Sequence, residues 1–241
     1  MAHKSFLTLV NDLASEAGVS GNASSVATVV GQTGTAKRLV NWIRQAHNDI
    51  QNRHTSWRWM RSTFSVNTVV DDDTYAPTDC TDTRLSATIS RFARWWPYAD
   101  DGSINIKRYL TATGVSVEGY MNILPWAYFR AIYRIGTQNN GPIVNVTIDP
   151  QDNLVIGPKP NDVFTITGEY QMSSLNFAAD SDTAEFPERF DDLITYLAME
   201  KYGLFYAAPE VLERGRQEGG KLMRQLEANQ GPPITLGPPL A

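Results

Sequence analysis

Three histidines, His3, His47 and His54, are the first residues to weigh as metal ligands. His47 and His54 fall seven apart on what reads as one helix. They share a face but stand roughly 10 Å apart at 1.5 Å per residue. That is too far to chelate one ion, so helix-face or interface histidines are expected. Asp71-Asp72-Asp73 is a carboxylate run. It lacks the alternate-residue spacing of a calcium loop and reads as a solvated turn. Cys80 is the only cysteine, so neither an intrachain disulfide nor a cysteine-based metal site is available. No metal or other cofactor is implied, and no catalytic residue.

Nucleophile and phosphate motifs are missing. There is no G-x-S-x-G, no G-x-x-x-x-G-K and no G-x-G-x-x-G. Acids such as Glu118, Glu169 and Glu185 are present, but their spacing singles out no pair for glycoside hydrolysis. The expectation is a protein that is not an enzyme. Two stretches interleave arginine with aromatic residues: Arg53 to Arg61, holding Trp57 and Trp59, and Arg91 to Tyr98, holding Trp95 and Trp96. Such stretches can stack on bases and reach phosphates. The alternative is that the tryptophans bury apolar area at a domain junction while the arginines reach solvent or acids. A net charge of -5 favours burial and argues against a duplex-gripping protein.

These residues must be carried by a scaffold. With 241 residues, 42% hydrophobic and 20% charged, the chain reads as soluble and globular. It shows no signal peptide pattern and no apolar run long enough for a membrane span. Phe6, Leu9, Val10, Leu13 and Ala17 mark a helix over 4–17, stopped by Gly18. Residues 18–35 read as a long loop. Leu39, Ile43, Ala46 and Ile50 mark a second helix, with Thr35 as its N-cap, Trp42 on its flank and Trp57 at its far end.

From Phe64 to about Met172 the period becomes two. Phe64 and Val66 alternate with Ser65 and Asn67; Val144, Val146 and Ile148 alternate with Asn145 and Thr147. Phe164, Ile166 and Tyr170 alternate with Thr165, Thr167 and Glu169, and Asp149 to Asn153 reads as a turn. One helix interrupts, opened by Pro125, with Trp126, Phe129 and Tyr133 on a face and Gly136 ending it. Pro187 opens a helix with Phe190, Leu193, Ile194, Leu197 and Leu204 on one side. Pro209 opens another, with Leu212, Gly215, Gly219, Leu222 and Leu226 on one side. Gly215, Gly219 and Gly220 there imply a bend or a close backbone approach. Residues 229–241, NQGPPITLGPPLA, carry no charge and four prolines and cannot continue a helix.

The expected fold is therefore α+β: a helical bundle from the N- and C-terminal helices, a β-rich antiparallel insertion and an extended C-terminal tail. Its parts are 1–62 and 181–228 for the bundle, 63–180 for the insertion with one helix, and 229–241 for the tail.

Several runs, in order, resemble bacteriophage head-to-tail adaptor (connector) proteins. They are Lys37 to Ile43 through Asp49-Ile50-Gln51 to Trp57-Arg58-Trp59-Met60; Leu124-Pro125-Trp126 with Phe129-Arg130 and Tyr133; Leu154 to Pro158 with Pro160; and Phe186-Pro187-Glu188-Arg189-Phe190 with Asp192. With the last helix and tail, the resemblance spans nearly the whole chain.

The resemblance implies a virion structural protein, assembled in the host cytoplasm, that forms a ring of about twelve copies beneath the portal protein. Such a ring extends the DNA channel, lets packaged DNA pass without sequence-specific binding, and offers a surface to the tail or neck protein below. It implies a C-terminal segment inserted against the portal. Pro232, Pro233, Ile234, Thr235, Leu236, Pro238, Pro239 and Leu240 are the expected portal-binding residues. Some short-tailed phage relatives resemble adaptors with wall-degrading activity, but no residue here maps onto it. Two other readings stand beside this one. One is a different neck or tail part, such as a tail terminator. The other is a glycan-active or glycan-binding module using Trp95, Trp96 and Trp126.

Overall fold

The computed structural model describes residues 2–21 and 24–231. Among these residues lie five α-helices: α1 (Phe6–Glu16), α2 (Gly34–Asn52), α3 (Trp126–Tyr133), α4 (Asp192–Tyr206) and α5 (Pro209–Gln230). There are also eleven short strands in two sheets, so the chain is α+β. It divides into two compact units. One comprises residues up to 59 together with those from 174 onward, and the other spans 60–173.

In the first unit α4 contacts α1, α2 and α5. α1 buries Phe6, Leu9, Val10, Leu13 and Ala14, and Ser5 caps it by accepting from the Thr8 amide at 3.2 Å. Gly18 ends the run at φ 64°, a conformation glycine adopts without strain. α2 buries Leu39, Val40, Ile43, Ala46 and Ile50. Its N-cap is Thr33 rather than the expected Thr35: Thr33 is extended and the helix begins at Gly34, which puts Thr35 inside the first turn. Trp57 lies beyond the helix end and is fully buried, its Nε1 donating to the Ile50 carbonyl at 3.0 Å.

The loop between these helices is pinned rather than loose. Asn11 holds the Val26 amide at 2.7 Å, and Asp180 accepts from the Val29 amide at 2.6 Å. Pro187 opens a short 3-10 turn (Glu188–Phe190), not α4 itself. α5 runs to Gln230, two residues past the expected end.

α4 and α5 are antiparallel and unusually close. A Cβ on Gly203 would meet the Leu212 backbone at 2.8 Å, and one on Gly215 would meet the Tyr196 carbonyl at 2.7 Å. The glycines are therefore a close-approach device, and among the described residues α5 is a single continuous helix. Met223, not Leu222, is the buried partner of Leu226.

In the second unit the strands are β1 (Arg61–Asn67), β2 (Thr74–Tyr75), β3 (Thr81–Asp82), β4 (Ala87–Thr88), β5 (Arg94–Trp96), β6 (Lys107–Leu110), β7 (Gly119–Tyr120), β8 (Asn122–Ile123), β9 (Asn145–Ile148), β10 (Leu154–Gly157) and β11 (Phe164–Gln171). The larger sheet is centred on β11. β1 runs antiparallel along one edge, from Arg61 opposite Gln171 to Asn67 opposite Thr165. β6 and β5 share the other edge end to end. Phe64, Trp95, Ile166 and Tyr170 face the core.

The smaller sheet runs β2-β10-β9-β8, with one parallel pair, β8 to β9. Here the expected alternation of Val144 to Ile148 fails. Val144 is exposed because it precedes β9, and Thr147 is buried because β10 and the centre of β9 are covered on both faces. In α3 only Phe129 is fully buried, and the helix ends at Tyr133, before Gly136.

The core of this unit contains one buried carboxylate. Asp82 accepts from the Tyr170 hydroxyl at 2.6 Å and from the amides of Arg84 at 2.8 Å and Leu85 at 3.1 Å. Burial pushes its carboxyl up, but these donors outweigh burial and hold it below the usual carboxylate range. A depressed folded pKa stabilises the protein above the unfolded value near 3.9, and that stability drains away as pH falls further. Asp82→Asn should cost about 2 kcal/mol at neutral pH, since charged-group hydrogen bonds are weakened. The difference between variant and parent should shrink below about pH 4. Urea unfolding at pH 7 and pH 3 measures both; an equal gap at the two pH values would refute the assignment.

Candidate docking surface

The sequence candidates for metal and nucleic-acid chemistry are consumed inside the fold. His47 is buried and stacks on Phe177, with ring centroids 3.9 Å apart. His54 is not on the same helix: α2 stops at Asn52, and His54 meets Glu227 at 3.2 Å and the edge of Trp57. Among the described residues no three His, Cys, Asp or Glu side chains converge as a metal site. The acids of 71–73 sit in a turn with Asp71 and Asp72 exposed, as expected, and two of them have partners outside it. Asp71 accepts from Asn140, and Asp73 pairs with Arg134 at 3.1 Å. Burial pushes the Cys80 thiol up to about 12, which leaves it protonated and inert.

In the two arginine-aromatic stretches the tryptophans are buried or half-buried, while arginines such as Arg53, Arg58 and Arg94 are exposed. Trp57 stacks on Trp59 at 4.2 Å, and Arg53 pairs with Glu227 at 2.7 Å. In the second unit, Arg61 and Arg94 both stack on Trp96, at 4.1 and 4.4 Å, while Arg61 grips Asp100 with both terminal nitrogens. Trp95 is buried and donates to the Asp152 carbonyl at 2.7 Å. Trp126 lies half-buried near Phe129 and Arg130. Trp95 therefore presents no ring face to a base or a sugar, and Trp96 is already occupied by guanidiniums.

What is open is a different surface, in the first unit. The C-terminal end of α4 carries Leu204, Phe205 and Tyr206, exposed by 64%, 56% and 39%. Trp42, on the third turn of α2, packs against Phe205 at 5.6 Å and edge-on to Tyr202 and Tyr206 at 5.8 and 6.1 Å. Arg38, one turn earlier, lies over the Phe205 ring at 4.7 Å and donates to the Tyr206 hydroxyl at 3.3 Å. Hydrogen bonds from the Thr35 and Arg38 side chains hold that hydroxyl below its ordinary range.

The result is a contiguous aromatic face with a cationic edge, fixed on two packed helices. Sequence pattern assigned Leu204 to the buried side of α4 and missed this face. The signal was available: Leu204-Phe205-Tyr206 are consecutive and cannot all fit one side of a helix. The expected portal-binding residues, Pro232 to Leu240, lie outside the described residues.

One protein family, described as SU10 adaptor protein, matches residues 4–233. That span takes in both units. The chain belongs to this family, a phage head-to-tail adaptor family. No curated protein matches the chain significantly. Membership of this family implies association with portal and tail proteins. Among the described residues no helix is long and apolar enough to cross a membrane.

Proposed function

We propose that the protein is a virion adaptor that forms a ring beneath the portal, extends the DNA channel and presents the surface to which the tail or neck attaches. The family match over residues 4–233 carries this reading. The architecture supports it. Helices from both ends of the chain contact one another through α4, and residues 60–173 form a compact β-rich unit of their own. A net charge of -5 suits a channel that DNA must slide through without lasting phosphate contacts. Ring closure and a preassembled portal make successive contacts effectively intramolecular, so modest individual interfaces suffice. The uncharged segment 229–241 is the proposed grip on the portal.

Cryo-electron microscopy of the virion neck tests the reading. A closed ring of this chain should lie directly under the portal, its channel coaxial with the portal's. Density for the chain at the tail tip or tube end instead would overturn it, and so would clearing of a peptidoglycan suspension by the purified protein.

A further inference from the structure

The aromatic face of the first unit is matched in chemistry by one segment of the same chain. Residues 232–241, PPITLGPPLA, hold four prolines, Ile234, Leu236 and Leu240, and no charge. Proline-rich segments dock on aromatic grooves, where ring faces pack flat against pyrrolidine and aliphatic groups. Their extended backbone makes no internal hydrogen bonds, so its carbonyls need donors, and Arg38 brings a guanidinium to the edge of the face.

Length decides which copy supplies the segment. α5 has 22 residues and runs about 33 Å at 1.5 Å per residue. The aromatic face lies at the α4–α5 turn, beside the start of α5, as the antiparallel contacts of Gly203 with Leu212 and Gly215 with Tyr196 require. The segment departs from Gly231 at the other end. Fully extended, Leu236 reaches at most about 18 Å from Gly231, and Leu240 about 32 Å. Within one chain neither Ile234 nor Leu236 can arrive.

We propose that residues 232–241 of one copy dock on the Trp42–Phe205–Tyr206 face of a second copy. Donor and acceptor surfaces sit at opposite ends of α5, so the contact is head-to-tail, the kind that closes rings or propagates. It goes beyond the adaptor reading and does not rest on it. It gives the segment a seat while no portal is present.

The test uses the chain ending at Gly231, which keeps α5 whole, and a fluorescent peptide of residues 229–241. Anisotropy should show saturable binding of one peptide per chain. Phe205→Ser or Tyr206→Ser in the protein should weaken it at least tenfold, as should Ile234→Asp with Leu236→Asp in the peptide. Phe205 and Tyr206 are exposed by 56% and 39% at the very end of α4, so far-UV circular dichroism should be unchanged. In sedimentation the full chain should associate with rising concentration, and truncation at Gly231 should remove that association. Absence of saturation, or binding indifferent to both face variants, overturns the proposal. So does a full-length chain that stays monomeric and refuses the peptide, which would mean docking within one chain. No portal is present in these tubes, so failure here leaves the adaptor reading to its own test.

Discussion

Gly215→Val should lower the melting temperature of the helical unit by roughly 10 °C, a loss of at least about 3 kcal/mol. At this position α4 and α5 approach backbone to backbone. A Cβ there would stand 2.7 Å from the Tyr196 carbonyl oxygen and 3.1 Å from the Glu200 amide. Neither atom can rotate away, and both belong to a helix whose other side packs on α1 and α2. The helices must separate, which loosens Met223 and Leu226 further along the same seam.

The neighbouring glycines supply the controls. A Cβ on Gly219 has its nearest neighbour at 3.4 Å, an ordinary contact, and one on Gly220 meets only the end of Arg224 at 3.7 Å. Gly220→Ala should therefore stabilise α5 by up to about 1 kcal/mol, because alanine loses less entropy in a helix. Thermal melts of Gly215→Val and Gly220→Ala should move in opposite directions. Movement in the same direction would show that the glycines act through α5 alone and not through its contact with α4.

That contrast shows what could be read from the sequence. Three glycines in α5 pointed to a bend or a close approach, and only three-dimensional contact separates Gly215 from Gly220. Elements set by local periodicity were legible. The stripe of Phe6, Leu9, Val10 and Leu13 and the alternation of Phe64 and Val66 depend on a helix or strand having one buried side, and both appear. Periodicity failed where an element is covered on more than one side or on none. Thr147 is buried because β9 is sandwiched, and Leu204 is exposed because α5 at Gly203 and α2 at Phe205 cover other sides of α4 and not its own. Capping failed at Thr35 because the helix already begins at Gly34, one turn-opening glycine earlier than the apolar stripe indicates.

The same limit governs the sites. Composition read correctly that Trp57 and Trp95 are buried, since tryptophan beside arginine satisfies its own apolar area first. The aromatic face needed Trp42 and Phe205 to be brought together by the packing of α2 on α4, and no local pattern contains that.

Removing residues 232–241 should abolish retention of the protein on purified portal while leaving its helical signal and melting unchanged. The cut falls after Gly231, whose amide still closes the last turn of α5 on the Glu227 carbonyl at 2.8 Å, so the helix keeps its end. Ile234, Leu236 and Leu240 are the large apolar groups of the segment, each an anchor contributing about 1 to 3 kcal/mol if a pocket closes over it. Loss of two such anchors weakens binding by about thirtyfold or more at 1.4 kcal/mol per decade. The four prolines raise the contribution that survives, because fixed φ angles leave less entropy to lose on docking. Ile234→Asp with Leu236→Asp in the full chain should match the truncation, which separates lost anchors from lost length. Excess free peptide of residues 229–241 should displace the intact protein from the portal. Co-sedimentation with portal rings reads all three, and a truncated chain that joins the ring with undiminished affinity would move the attachment from the segment to the helical unit.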